Sequence, residues 1–194
     1  MPYLNLNENE MDVHLISKQG FDFQIGILVS EMEYVRKETY RLLNTRDLSI
    51  NDLDFNFDAY SNSIGTLLLH IACHEFKFQL NHFYKRNITE DEFKHFGNAM
   101  PFNMHKRLVF GNDLTFYKKE LNTIRENSLS HLKDLDDKWL FQDIILSNGK
   151  NIGNYYYHLK HVINDEINHQ GQIKIILKRL QIQKESKGKT IKQA

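Results

Sequence analysis

Asp165, Glu166 and His169 stand in a run of residues that is otherwise set up to be buried. Tyr155, Leu159, Val162, Glu166, His169, Ile173, Ile176 and Leu180 follow steps of three and four, the spacing of one helix face. Polar side chains in an apolar stripe need partners, because an unpaired buried charge is costly. Four residues advance a helix by about 400°, so Asp165 and His169 project side by side, about 40° apart, from consecutive turns. That span suits two ligands of one metal ion. Glu166 and His169 also form a Glu-x-x-His pair, the spacing used in di-iron carboxylate bundles.

A second segment offers His70, between Leu69 and Ile71, and His74 one turn further on. Facing helices would bring His70 against Asp165 and His169. Two imidazoles and one carboxylate with an open position suit a catalytic divalent ion such as zinc, iron(II) or nickel. The plain alternative for each core histidine is a hydrogen-bonded imidazole with no metal. His74, His158 and His161 read as helix-edge residues facing water. Cys73 lies one turn from His70 and reads as buried filler rather than a ligand.

These residues need long helices to position them. The chain has only Pro2 and Pro101, so long uninterrupted helices are available. Phe21, Ile25, Leu28, Met32, Val35, Thr39 and Leu42 trace a first helical seam. A polar connection covers Asp47 to Tyr60. The second helix starts at Ser61 or Ser63, either of which can cap, and carries Ile64, Leu67, Leu68, Ile71, Phe76, Phe78, Leu80 and Phe83. It is apolar around much of its circumference, as a central helix should be. Thr89-Glu90-Asp91-Glu92 reads as the acidic first turn of a short helix. Residues 97–113 read as a loop. The third long helix spans Leu114 to Leu135. Asp136 to Gly153, with Asn148-Gly149, reads as an extended segment or a small hairpin. The fourth helix runs from about Ile152 to Ile182. The expected class is all-α, a four-helix bundle over 21–183, with an N-terminal arm over 1–20 and a frayed basic tail over 184–194.

Composition narrows the function classes. The 194 residues fit one domain and include 41% apolar residues, with 13 Phe and 9 Tyr. Twenty-five basic and 25 acidic residues leave no net charge, so there is no basic footprint for nucleic acid. The ten His are a high count and point to metal or proton chemistry. One Cys excludes a disulfide framework and a thiolate zinc site, and a reducing, cytoplasmic setting is expected. Met1 to Asp12 is polar and acidic, so no signal peptide is expected. No apolar run of membrane-spanning length is present.

Two segments carry a resemblance to a known family. Asn164-Asp165-Glu166-Ile167-Asn168-His169-Gln170-Gly171-Gln172-Ile173 resembles the last-helix signature of the DinB/YfiT-like metal-dependent proteins. Ser63-Ile64-Gly65-Thr66-Leu67-Leu68-Leu69-His70-Ile71-Ala72 resembles their second-helix signature. The resemblance covers roughly residues 20–183. It implies an up-down-down-up four-helix bundle, often dimeric, with a metal triad carried over by position as His70, Asp165 and His169. Many members have His where Asp165 stands, and the mycothiol-dependent isomerases have Glu there. Asp is shorter, which makes Glu166 a rival ligand. Gly171, in mid-helix, is expected at a close helix approach or beside a substrate, with close helix packing the preferred reading.

The resemblance implies a thiol-dependent transferase or isomerase, using a low-molecular-weight thiol such as bacillithiol or mycothiol on a small-molecule substrate. Glu166 or a nearby Tyr would move protons. A hydrolase using metal-activated water is the adjacent expectation. The competing reading is a non-catalytic bundle that pairs with itself or another protein. There Glu166 would be salt-bridged to His169 or to a Lys or Arg across the core.

Overall fold

The computed structural model describes residues 14–97, 99 and 109–191. It is mostly helical, with one small two-stranded sheet. The order is α1 (Phe23–Asn44), α2 (Ile50–Leu53), α3 (Ile64–Gln79), α4 (Glu90–Phe96), α5 (Leu114–Leu132), α6 (Asp137–Leu140), β1 (Asp143–Ile145), β2 (Asn151–Asn154) and α7 (Tyr155–Ile191). A single π-helical turn, Leu80–Tyr84, continues α3.

The helices begin where the side chains can satisfy the free amides of a first turn. Ser63, not Ser61, caps α3 by accepting from the Thr66 amide at 3.1 Å. Asp113 caps α5. Thr89 and Glu92 form a reciprocal capping box on α4, as do Ser49 and Asp52 on α2. The start of α1 is tied across the fold. Asp137 accepts from the Gln24 and Ile25 amides at 2.8 and 3.0 Å, and Asp22 accepts from the Asp137 amide at 2.8 Å.

The contacts between the four long helices run as ladders. Along α1 and α7 they advance together: Glu31 with Lys160, Arg36 with Glu166, Arg46 with Leu177. Along α3 and α7 they run in opposite senses: His70 with His169, His74 with His161, His82 with His158. Glu75 and Gln79 of α3 meet Arg125 and Ser128 of α5 in the same sense. Met32 and Arg36 of α1 meet Arg125 and Leu121 of α5 in the opposite sense.

The core has two apolar layers. One gathers Leu43, Leu53, Ile64, Leu67, Leu68, Tyr117, Leu121, Ile173 and Leu180. The other gathers Ile25, Val29, Met32, Phe78, Leu132, Leu140, Leu159 and Ile163. Gly65 is required in the first layer, because a Cβ there would run into the ring of fully buried Tyr117.

Several sequence expectations shift. Leu43 rather than Leu42 closes the α1 seam. The polar connection after α1 contains α2. Residues 152–154 belong to β2 rather than to the last helix, paired with β1 across a turn in which Gly149 has φ +80°. The helix does not stop near 182: α7 continues to Ile191, so the tail over 184–194 is helical as far as it is described. Residues 1–13 of the arm, and 98 and 100–108 of the loop, lie outside the described residues. Within 14–20, the Lys18 amide bonds to the Gly26 carbonyl at 3.3 Å.

Candidate metal centre

The α3–α7 seam brings His70, Asp165 and His169 together, with one ligand atom of each within 4.8 Å of the others. His169 Nε2 lies 3.5 Å from Asp165 Oδ1, and His70 Nε2 lies 3.8 Å from Asp165 Oδ2. The His70 and His169 rings meet edge to face at 4.9 Å. His169 is the most buried of the three, with 6% of its side chain exposed against 12% and 16% for His70 and Asp165.

The tautomer of His70 follows from its partner. Its Nδ1 stands 2.6 Å from the Ala99 carbonyl. A carbonyl only accepts, so Nδ1 carries the proton and donates it. That leaves Nε2 as the lone-pair nitrogen, and Nε2 is the atom that faces Asp165. A carbonyl that orients one imidazole nitrogen while the other points at a cation position is the usual arrangement behind a metal-binding histidine. Burial drives the His70 imidazolium down to about 4, against the opposing pull of Ala99 and Asp165. Burial pushes the Asp165 carboxyl up, but the contact with His169 and the other imidazoles outweighs it, and the net shift is down. Neutral imidazole and ionised carboxylate are the protonation states a divalent ion requires.

One atom makes the fit sharper. Asp165 Oδ2 is buried and has no hydrogen-bond partner among the described residues. A buried, ionised oxygen without a donor costs of the order of 1–3 kcal/mol or more, and a cation at this position would offset that cost.

Glu166 faces the opposite way from Asp165. Its Oε1 accepts from Arg36 Nε at 2.8 Å and from Thr39 at 2.7 Å. Its Oε2 accepts from Arg36 and Arg125 at 3.1 and 3.3 Å. Arg125 and Arg36 also hold Glu75, whose nearest contact is 2.8 Å from Arg125 Nε. The remaining guanidinium donors reach the Leu121 and Met32 carbonyls at 2.7 Å. Gln170 links Thr39 to the Val35 carbonyl. Two cations and two anions thus neutralise one another. The group falls between the two apolar layers along α1, α5 and α7, whose layer residues flank Arg36, Arg125 and Glu166. Glu166 therefore neither joins the His/Asp/His cluster nor reaches a proton there, because both its oxygens are occupied.

The other sequence candidates fall as follows. Cys73 is buried outside the cluster, and burial pushes its thiol up to about 12, far from a thiolate. His161 is exposed, as expected at a helix edge, and its ring meets His74 at 5.0 Å. His158 is half-buried against His82. His74, expected at a water-facing edge, instead lies 3.7 Å from Asp165 Oδ2. Gly171 does not serve close packing, since a Cβ there would meet nothing within 4 Å. Arg36, Glu75 and Arg125 were not legible as a set, because each stands one position off an apolar seam on a different helix. The signal was an arginine directly beside a core position, after Val35 and after Ile124.

No protein-family profile matches the chain, and no curated protein matches it. Among solved structures, it is similar to one described as a conserved protein of locus from Enterococcus faecalis. The likeness has a TM-score of 0.58 at 12% identity and covers 77% of this chain and 92% of that one. At that identity it is a likeness of fold alone.

Proposed function

We propose that this chain is a metal-dependent enzyme of the DinB-like type. Its site is a divalent ion held by His70, Asp165 and His169, acting in thiol-dependent transfer or in hydrolysis of a small-molecule substrate. The observation that carries the reading is the convergence of His70 Nε2 and His169 Nε2 on the Asp165 carboxylate, whose buried Oδ2 has no hydrogen-bond donor among the described residues. The helix ladders support an up-down-down-up bundle, in which α1 and α7 run together and α3 and α5 run against them. The homodimer implied by the sequence resemblance is part of the same proposal.

A bound divalent ion would supply Lewis acidity, lowering the pKa of a thiol or a water that reaches it. Zinc, nickel and iron all suit two imidazoles and a carboxylate. The chain's own residues set the rest. Ala99 fixes the His70 tautomer, and the packing of α3 on α7 keeps bulk water from His169. The Arg36–Glu166 network holds α7 in the rotation that points Asp165 at α3.

Elemental analysis of untagged protein, beside His70→Ala and His169→Ala, tests this reading. Near-stoichiometric metal in the wild type and loss in both variants is expected. Equal metal content in all three proteins would remove its foundation.

The second reading, a non-catalytic bundle with a buried salt-bridge network, draws on a different observation. Glu166 is bound by Arg36 and Arg125 across the core. Buried polar groups of this kind can fix which helices pair. A melting temperature unmoved by chelator would favour it, since a metal that binds only the folded state raises stability.

A further inference from the structure

We propose that a cavity between α3 and α7, outside the His/Asp/His cluster, binds a small organic anion that also carries a hydroxyl, with the acidic group on Lys77 and the hydroxyl donating to His82 Nδ1. None of its groups belongs to the cluster, so the inference stands apart from the metal reading.

Two facing stripes build the cavity. His74, Lys77, Phe78, Asn81 and His82 recur at steps of three and four along α3 and the π turn that continues it. His158, His161 and Val162 do the same along α7. Together they enclose about 220 Å³. Phe78, His82 and Val162 are buried and form its floor, whereas Lys77, Asn81 and His161 are exposed and form its rim.

The tautomers are fixed from the β-hairpin inward. His158 Nε2 stands 3.1 Å from the Ile152 carbonyl, which only accepts, so Nε2 carries the proton. His158 Nδ1 is then a lone pair and accepts from His82 Nε2 at 3.3 Å. That leaves His82 with its lone pair on Nδ1. The rings of Phe78, His158 and Tyr155 meet the His82 ring at 4.7, 4.9 and 5.3 Å and hold it in place. Burial keeps the imidazole neutral, with its pKa held down to about 4. A buried, oriented acceptor is matched by a ligand that brings a donor. The backbone is unusual at the same place. His82 lies in the π turn, which ends at Lys85 in the left-handed region, φ +50°. Departures of this kind recur at functional sites.

Charge sets the other end of the ligand. Among the described residues that line the cavity, Lys77 is the charged one and none is a carboxylate. Asp165 touches His74 but does not line the cavity. Size sets the rest. At about 30 Å³ for each water-sized group, there is room for roughly seven non-hydrogen atoms. Lactate is a probe of that size, with a carboxylate, a hydroxyl and a methyl group for the Phe78–Val162 floor.

The single tryptophan, Trp139, reports on the site, because it stacks at 4.3 Å on Tyr155, which packs against His82. Fluorescence and calorimetric titrations of the metal-free full chain with lactate, propionate and propylene glycol at constant ionic strength test the proposal. Lactate is expected to bind saturably with a millimolar Kd. Propionate lacks the hydroxyl and propylene glycol lacks the charge, and each should bind about tenfold more weakly. Lys77→Met should weaken lactate by about tenfold as well, whereas Lys174→Met, away from the cavity, should not. His82→Phe should abolish the preference for lactate over propionate. Unfolding curves check the variants, and should His82→Phe not fold, the three probes and the exposed Lys77 position still decide. No saturable lactate binding by either readout, equal affinities for lactate and propionate, or an equal loss in Lys174→Met would overturn the proposal.

Discussion

Asp165 and Glu166 are adjacent carboxylates on one helix, and they live in opposite surroundings. Glu166 faces α1 and α5, where Arg36, Arg125 and Thr39 occupy both its oxygens. Asp165 faces α3, where, among the described residues, imidazoles approach it and one oxygen has no donor. The first region is charge-balanced and closed; the second sets a carboxylate among imidazoles. A rotation of about 100° per residue is enough to separate the two. Adjacent carboxylates on one helix can thus meet arginines or imidazoles, and the identity of the facing helix decides which.

The comparison breaks first at Glu166. Glu166→Gln leaves two buried guanidiniums facing Glu75 alone, and should cost about 3–5 kcal/mol in denaturant unfolding. An effect below about 1 kcal/mol would mean the network is not closed as described.

Asp165→Asn should do the reverse. The metal-free protein should lose no stability and gain up to about 1–3 kcal/mol, because the unpartnered charge on Oδ2 is removed and no cation is stranded. The stabilisation by added metal should vanish. In the wild type that gain is about 2.7 kcal/mol at a hundredfold excess of free ion over its Kd. Thermal melts of both proteins with and without Zn²⁺ read the difference.

The imidazole side should also be the acid-sensitive one. Burial, aided by neighbouring His158, holds His82 down to about 4, below its ordinary 6.5. The unfolded chain then binds a proton that the folded chain refuses. Stability should therefore fall as the pH drops from about 6.5 towards 4, and level off below that. Replacing His82 with Asn should flatten the slope; an identical pH profile would exclude this histidine as its source.

The smallest effect should come from Gly171, which sits at the same level of α7 but faces neither region. With open space around it, Gly171→Ala should stabilise the protein by up to about 1 kcal/mol through helix propensity. A loss of stability would reveal a contact beyond the described residues.

Much of this was legible in the sequence because helix periodicity is local. The steps of three and four through Val35, Leu68, Leu121 and Ile173 sort each helix into inner and outer faces without knowledge of its neighbours. Capping is local too, and Thr89, Asp113 and Ser63 mark their helix starts. The spacing of Asp165 and His169 placed them side by side on one helix, and His70 on a facing one. What the sequence could not decide is rotation. Asp165 and Glu166 both lie near the inner face, and only the packing of α7 between α1 and α3 assigns one to the arginines and the other to the imidazoles. The pairing of Arg36, Arg125 and Glu75, and the reach of His74 to Asp165, likewise join residues far apart in the chain. Periodicity is a property of each helix alone, whereas partner choice depends on the angle at which two helices meet, and that angle exists only in the tertiary structure.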